Sequence, residues 1–120
     1  MSPRPAEADA YLPLTPAVFH VLVALADGEK HGYAILKEVA DRTGGKVQLS
    51  SGTLYAIIKR LLQDGLIDEI EERPDQDDER RRYYGLTALG KRVAAAEAAR
   101  MEALLSAARA KRLIRKTRHA

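Results

Sequence analysis

The densest run of polar chemistry in this chain lies between residues 50 and 60. Ser50, Ser51, Thr53 and Tyr55 supply hydroxyls, Lys59 and Arg60 supply cations, and Gly52 and Ala56 leave the backbone bare between them. Hydroxyls and an ammonium at helical spacing suit the edges of bases and the oxygens of phosphates, and small residues let a backbone come close to either. Bond making needs something else, a nucleophile beside a base or a convergent pair of acids, and no such constellation occurs, so enzyme activity is not expected. Cysteine is absent, which removes thiolate zinc sites, iron-sulfur clusters and cysteine nucleophiles together. His20, His31 and His119 have no metal spacing and no matching acid cluster, so neither a metal nor a cofactor is expected.

The surrounding 120 residues form one domain by size, with 20 Lys and Arg against 17 Asp and Glu. A net charge of +3 is too small a bias to decide on a polyanionic partner; its distribution says more. Residues 64–79 hold nine acids (Asp64, Asp68, Glu69, Glu71, Glu72, Asp75, Asp77, Asp78 and Glu79), with Arg73 as their one base. From Arg109 onward the balance inverts to Arg109, Lys111, Arg112, Arg115, Lys116 and Arg118 with no acid. The longest apolar run, residues 21–26, is far below the roughly 20 residues of a membrane span, and the Pro-rich opening lacks the pattern of a signal peptide. No membrane partner is expected, and the cytoplasm is the default location.

Thr15-Pro16 starts a first helix, a capping hydroxyl followed by proline at the first helical position, and Gly28 ends it. Val18, Val21, Leu22 and Leu25 form one apolar face of it, and Phe19, Val23 and Ala26 a second, so it needs two partners. A second helix runs from about Gly32 to Thr43, with Tyr33, Leu36, Val39 and Ala40 as its apolar row, and Gly44-Gly45 stops it. A third starts with Ser51 as N-cap, buries Leu54, Ile57, Ile58 and Leu61, and ends at Gly65. Opposite Leu54, Ile58 and Leu61 lie Gly52, Ala56, Lys59 and Gln63, flanked by Tyr55 and Arg60. Strand-like runs at 66–73 and 80–86 enclose the turn-rich acidic stretch 74–79 as a hairpin. Thr87 caps a last helix from Ala88 to about Lys116, with nine alanines between Ala94 and Ala110. Leu89, Val93, Glu97, Met101, Leu104 and Ala108 form a sparse heptad-like row along it, with Leu105 beside it, suited to pairing with another helix.

Three helices, a hairpin and a long helix give a mainly α fold with a small β-hairpin, a winged helix-turn-helix plus a C-terminal dimerisation helix. Residues 1–10 read as a disordered tail, 11–87 as the winged domain, 88–117 as the dimerisation helix and 118–120 as a tail. In this fold the third helix enters the major groove of double-stranded DNA, and a dimer engages half-sites about 34 Å apart. Ser50, Ser51, Gly52, Thr53, Tyr55, Ala56 and Lys59 are the candidate contacts. A homodimer would join Phe19 and Val23 of the first helix to Met101, Leu104, Leu105 and Ala108 of the last.

The segments His31-Gly32-Tyr33, Gly52-Thr53-Leu54-Tyr55, Leu61 through Gly65-Leu66-Ile67, and Arg82-Tyr83-Tyr84-Gly85-Leu86-Thr87-Ala88-Leu89-Gly90 resemble the PadR family of bacterial transcriptional regulators. The resemblance covers roughly residues 14–117 and extends to the short subfamily with a single terminal helix. It implies a dimer that represses from an inverted-repeat operator, and it adds Tyr33, Arg80 and Arg82 to the DNA contacts. It also implies a small hydrophobic effector between the first and last helices, where Phe19, Val23 and Ala26 with Met101, Leu104 and Leu105 could line a space or fill a dimer interface.

Two departures stand out. Ala56 replaces a proline frequent in relatives, and residues 74–79 replace a Gly-Arg-Pro wing tip. The four acids of that tip have the wrong sign for phosphate, so the tip is expected to stand clear and leave Arg73, Arg80, Arg81 and Arg82 at the base of the wing. Arg80, Arg81 and Arg82 could equally neutralise Glu69, Glu71 and Glu72 across the hairpin. The acidic hairpin also leaves open a winged-helix module that binds protein without specific DNA binding.

Overall fold

The structure, a computed structural model, describes residues 5–70 and 82–115. The chain forms α1 (Pro5–Asp9), α2 (Pro16–Ala24), β1 (Lys30–His31), α3 (Gly32–Arg42), α4 (Ser51–Gln63), β2 (Ile67–Ile70), β3 (Tyr83–Leu86) and α5 (Ala88–Ala110). The mainly helical winged helix-turn-helix read from the sequence is the fold observed.

Local chemistry accounts for most boundaries. The Thr15 hydroxyl accepts the Val18 N–H at 3.3 Å, with Pro16 in the position where a missing N–H costs nothing. The α4 cap is Ser50, one residue before the expected Ser51: its Oγ accepts the Thr53 N–H at 3.0 Å. Gly65 takes φ +75°, the left-handed turn that lets the Leu66 N–H reach the Leu61 carbonyl at 2.9 Å. The Thr87 hydroxyl accepts the Gly90 N–H at 2.9 Å and donates to the Gly65 carbonyl at 2.7 Å, so one side chain starts α5 and ties it to the end of α4. Beside it α5 crosses the chain so closely that a Cβ on Gly90 would lie 2.0 Å from the Leu66 carbonyl oxygen.

Long-range packing supplied what the pattern did not. A two-residue strand, β1, pairs antiparallel with β3, Lys30 opposite Tyr84 and His31 opposite Tyr83, which makes a three-stranded sheet of order β1-β3-β2. On its other edge β3 pairs with β2, Ile67 opposite Leu86 and Ile70 opposite Tyr83. The expected disordered tail is helical at residues 5–9, where Ala8 is buried and Glu7 meets Arg92 of α5 at 3.3 Å. The last helix stops at Ala110 instead of continuing to 116 or 117: Arg112 turns to φ +64° and the Leu113 N–H closes on the Ala108 carbonyl. In α3 the buried residues are Gly32, Ile35 and Val39, and Tyr33, expected in the apolar row, is exposed.

The core joins Val21, Leu22 and Leu25 of α2 and its cap, Ile35 and Val39 of α3, Leu54, Ile58 and Leu61 of α4, and Leu66, Ile67, Tyr84 and Val93. No helix among the described residues is long and apolar enough to cross a membrane.

Candidate nucleic-acid interface

Helix α4 is divided along its length. Leu54, Ile58 and Leu61 are buried, whereas Ser51, Gly52, Thr53, Tyr55, Ala56, Lys59, Arg60 and Gln63 are exposed. Burial of the inner row holds the outer row at fixed orientation on a rigid helix, as a surface that must fit a groove requires.

The outer residues differ in what remains free. A Cβ on Gly52 would meet nothing within 4 Å, so no internal contact requires glycine there, and the bare backbone is open to the outside. The Ser50 hydroxyl caps the helix, accepting from the Thr53 N–H and donating to Thr53 Oγ1 at 3.0 Å. It therefore serves the helix, while the Thr53 hydroxyl keeps its proton to donate outward. Lys59 has no carboxylate within ion-pair distance among the described residues, but Arg60 reaches Asp64 at 3.5 Å. Lys59 is accordingly the uncommitted cation of this face.

Tyr55 is half exposed and has an internal role that the sequence reading did not assign. Its phenol lies against the start of α3, where a Cβ on Gly32 would come within 2.3 Å of the Tyr55 hydroxyl oxygen. The glycine of the His31-Gly32-Tyr33 segment thus makes room for the tyrosine of the Gly52-to-Tyr55 segment, and the two motifs form one contact between α3 and α4. Tyr33 is 68% exposed. Its ring stacks on His31 (centroids 6.4 Å, planes 15° apart), and His31 meets Tyr83 edge-on at 5.4 Å. His31 also caps α3, its Nδ1 accepting the Ala34 N–H at 3.2 Å. An aromatic row thereby runs from the first turn of α3 to the wing. Next to it, Tyr84 is buried, and that burial, with the Glu69 charge added, pushes its phenol above the ordinary range.

In the wing, Arg82 is exposed and faces Glu69 at 3.7 Å. The charge-neutralising reading is therefore the one observed for Arg82, although an exposed pair contributes only about 0–1 kcal/mol and is readily exchanged for phosphate. Arg80, Arg73, Arg81 and the 74–79 tip lie outside the described residues. No group of His, Asp and Glu among the described residues could hold a metal ion.

Sequence reasoning missed the network that braces α3. Arg42 reaches Glu38 at 2.6 Å and the His20 carbonyl of α2 at 3.1 Å, while Lys30 pairs with Glu38 at 3.5 Å and with Asp27. The Glu38-to-Arg42 spacing was a readable signal; its attachment to α2 was not.

The dimer candidates fall into two sets. Phe19, Val23 and Ala108 are partly buried, and Met101, Leu104 and Leu105 are exposed, with Leu104 at 63%. The exposed set continues past the helix end in Leu113 and Ile114.

Comparison with known proteins agrees with this geometry. The sequence profile of the transcriptional regulator PadR-like family matches residues 21–96. A protein of Lysinibacillus sphaericus is 34% identical over 71 residues, 59% of this chain, and the chain spans 64% of that relative's length. A PadR family transcription regulator from Clostridium difficile R20291 superposes with a TM-score of 0.69 at 25% identity, covering 77% of this chain and 93% of that one. Bacillus subtilis PadR in complex with operator DNA shares the fold, with a TM-score of 0.59 at 20% identity over 88% of this chain and 52% of that one. With a capped, one-sided α4, a three-stranded wing and a profile match over more than half its length, the chain belongs to the PadR-like family of transcriptional regulators.

Proposed function

We propose that this regulator acts in the cytoplasm as a homodimeric repressor that sets the α4 helices of its two protomers into successive major grooves of an inverted-repeat operator. One observation carries the reading: α4 is anchored by Leu54, Ile58 and Leu61, while Gly52, Ala56 and the uncommitted Lys59 face outward. Ser51 and Thr53 supply outward hydroxyls, Tyr33 an exposed ring at the start of α3, and Arg82 a cation at the wing. Dimerisation joins Phe19 and Val23 to Met101, Leu104, Leu105 and Ala108, within a division into a winged domain at 11–87 and a dimerisation helix at 88–117. A small hydrophobic effector bound along that seam would release the operator by changing the angle between protomers.

Operator fragments selected from genomic DNA provide the test. Wild-type protein should prefer them to random DNA at about 100 mM salt, and Lys59→Ala should bind roughly tenfold more weakly, with its log-log salt slope reduced by about 0.9 for the lost phosphate contact. Equal affinity for selected and random DNA would reject the proposal and favour the protein-binding module.

A further inference from the structure

His31 and Gly32, adjacent where β1 passes into α3, each receive an aromatic ring from a different element. The Tyr83 ring of β3 meets His31 edge-on at 5.4 Å, and the two residues are also paired in the sheet. The Tyr55 ring of α4 lies against Gly32, where an added Cβ would stand 2.9 Å from ring carbon Cζ and 3.4 Å from Cε1. Gly32 is buried in the first turn of α3, and its φ lies outside the left-handed region that favours glycine. Its backbone would therefore accept alanine, a better helix former. Space for Tyr55 is what glycine supplies at this position.

The place of Tyr55 on α4 gives that space a consequence. Leu54, Ile58 and Leu61 anchor the helix along its inner row. Tyr55 follows Leu54 by one residue, about 100° around the axis, so its ring braces α4 from the side. A roll of about 20° would carry a side-chain tip about 6 Å from the axis through about 2 Å, enough to part a donor from a base edge.

We infer that Tyr55 is a positioning residue: seated on Gly32, it fixes the roll of α4 against α3, and with it the aim of Gly52, Ala56 and Lys59 at the groove. This deepens the reading of α4 as the groove helix and rests on it.

The test is a double-mutant cycle on Gly32→Ala and Tyr55→Ala, read as the ratio of affinities for selected operator and random DNA, well below each variant's melting temperature. Gly32 is buried and has no side chain, so its substitution removes no group that could touch DNA. Gly32→Ala should nonetheless lose about tenfold of the operator preference, the scale of one base contact, while affinity for random DNA stays within about twofold. Loss of folded protein would lower both affinities equally. Tyr55→Ala should lose a similar factor, and the double variant no more than either alone, because the added methyl group then meets no ring. Tyr55→Phe, which keeps the ring on Gly32, should lose less than Tyr55→Ala. Thermal melting reads the contact without DNA. Gly32→Ala should lower the melting temperature with Tyr55 present, and leave it unchanged or raise it in the Tyr55→Ala background, which serves where Gly32→Ala alone does not fold. Wild-type operator preference in folded Gly32→Ala, or single losses that multiply in the double variant, would overturn the inference. So would Tyr55→Phe losing as much as Tyr55→Ala, which would mark the hydroxyl as a direct contact. A wild type with no operator preference would instead reject the groove reading, and the inference with it.

Discussion

Helix α4 and the distal half of α5 both present an outer face to solvent, and they present opposite chemistry. On α4 the large apolar side chains are turned in, and the outer face is made of small residues, hydroxyls and a cation. Beyond Glu97, residues 98–107 of α5 are all exposed, and Met101, Leu104 and Leu105 stand in solvent among alanines. A polar, small-residue face is complete in water and gains only when a complementary polyanion arrives. An apolar helix face is incomplete in water and calls for protein. The two halves of the task proposed above, gripping DNA and pairing with a copy, thus draw on different side-chain chemistries on two helices joined through Thr87 and Gly65.

The strongest way to break this contrast is to give distal α5 the character of α4. Leu104→Asp puts a carboxylate at the most exposed of the three large apolar positions, where the separate protomer tolerates it because nothing covers it. Burying that charge against a partner costs about 3 kcal/mol or more, so dimerisation should weaken at least a hundredfold, with circular dichroism of the protomer unchanged. Sedimentation equilibrium reads the outcome directly. A variant as dimeric as wild type would mean that the exposed leucines lie outside the interface.

A smaller change sharpens the α4 side. Gly52→Ala adds a methyl group to open space, and replacing glycine within a helix adds up to about 1 kcal/mol of stability, less in the first turn. The same methyl group would stand between the backbone and a base edge. The expected result is opposite signs: a melting temperature a few degrees higher and operator affinity several-fold lower. Affinity rising with stability would show that the backbone at Gly52 does not approach the duplex.

These two faces were legible in the sequence to different degrees. The inner row of α4 was readable because Leu54, Ile58 and Leu61 repeat at helical spacing, and Thr15, Gly65 and Thr87 because capping is local chemistry. The missed features depend on partners distant in the chain. Lys30 and His31 carry no strand signal of their own and become β1 only because β3 lies beside them. Residues 5–9 are too short to be helical alone and gain order from Ala8 against α5. Adjacent serines at 50 and 51 offer the same capping oxygen, and only backbone geometry chooses Ser50. Of the site, Lys59 and Gly52 were readable as outward residues. The seating of Tyr55 on Gly32 was not, because 23 residues separate two positions that pattern reading treats independently.

The smallest effect falls at the junction between the two faces. Arg100 holds the Glu97 carboxyl below its ordinary range by hydrogen bonding and charge, with the Leu14 N–H adding to it and burial opposing. A carboxyl with a lower pKa in the folded than in the unfolded chain contributes stability above the unfolded value of about 4.3, and loses it as pH falls from there through the folded value. Denaturant unfolding of wild type and Glu97→Gln, compared between about pH 6 and pH 3, should therefore show wild type losing more stability over the acid end of that range. Other carboxylates titrate in both proteins and cancel in the difference, which isolates the one group at the root of α5. A difference that stays flat with pH would mean that Glu97 is not held ionised by Arg100.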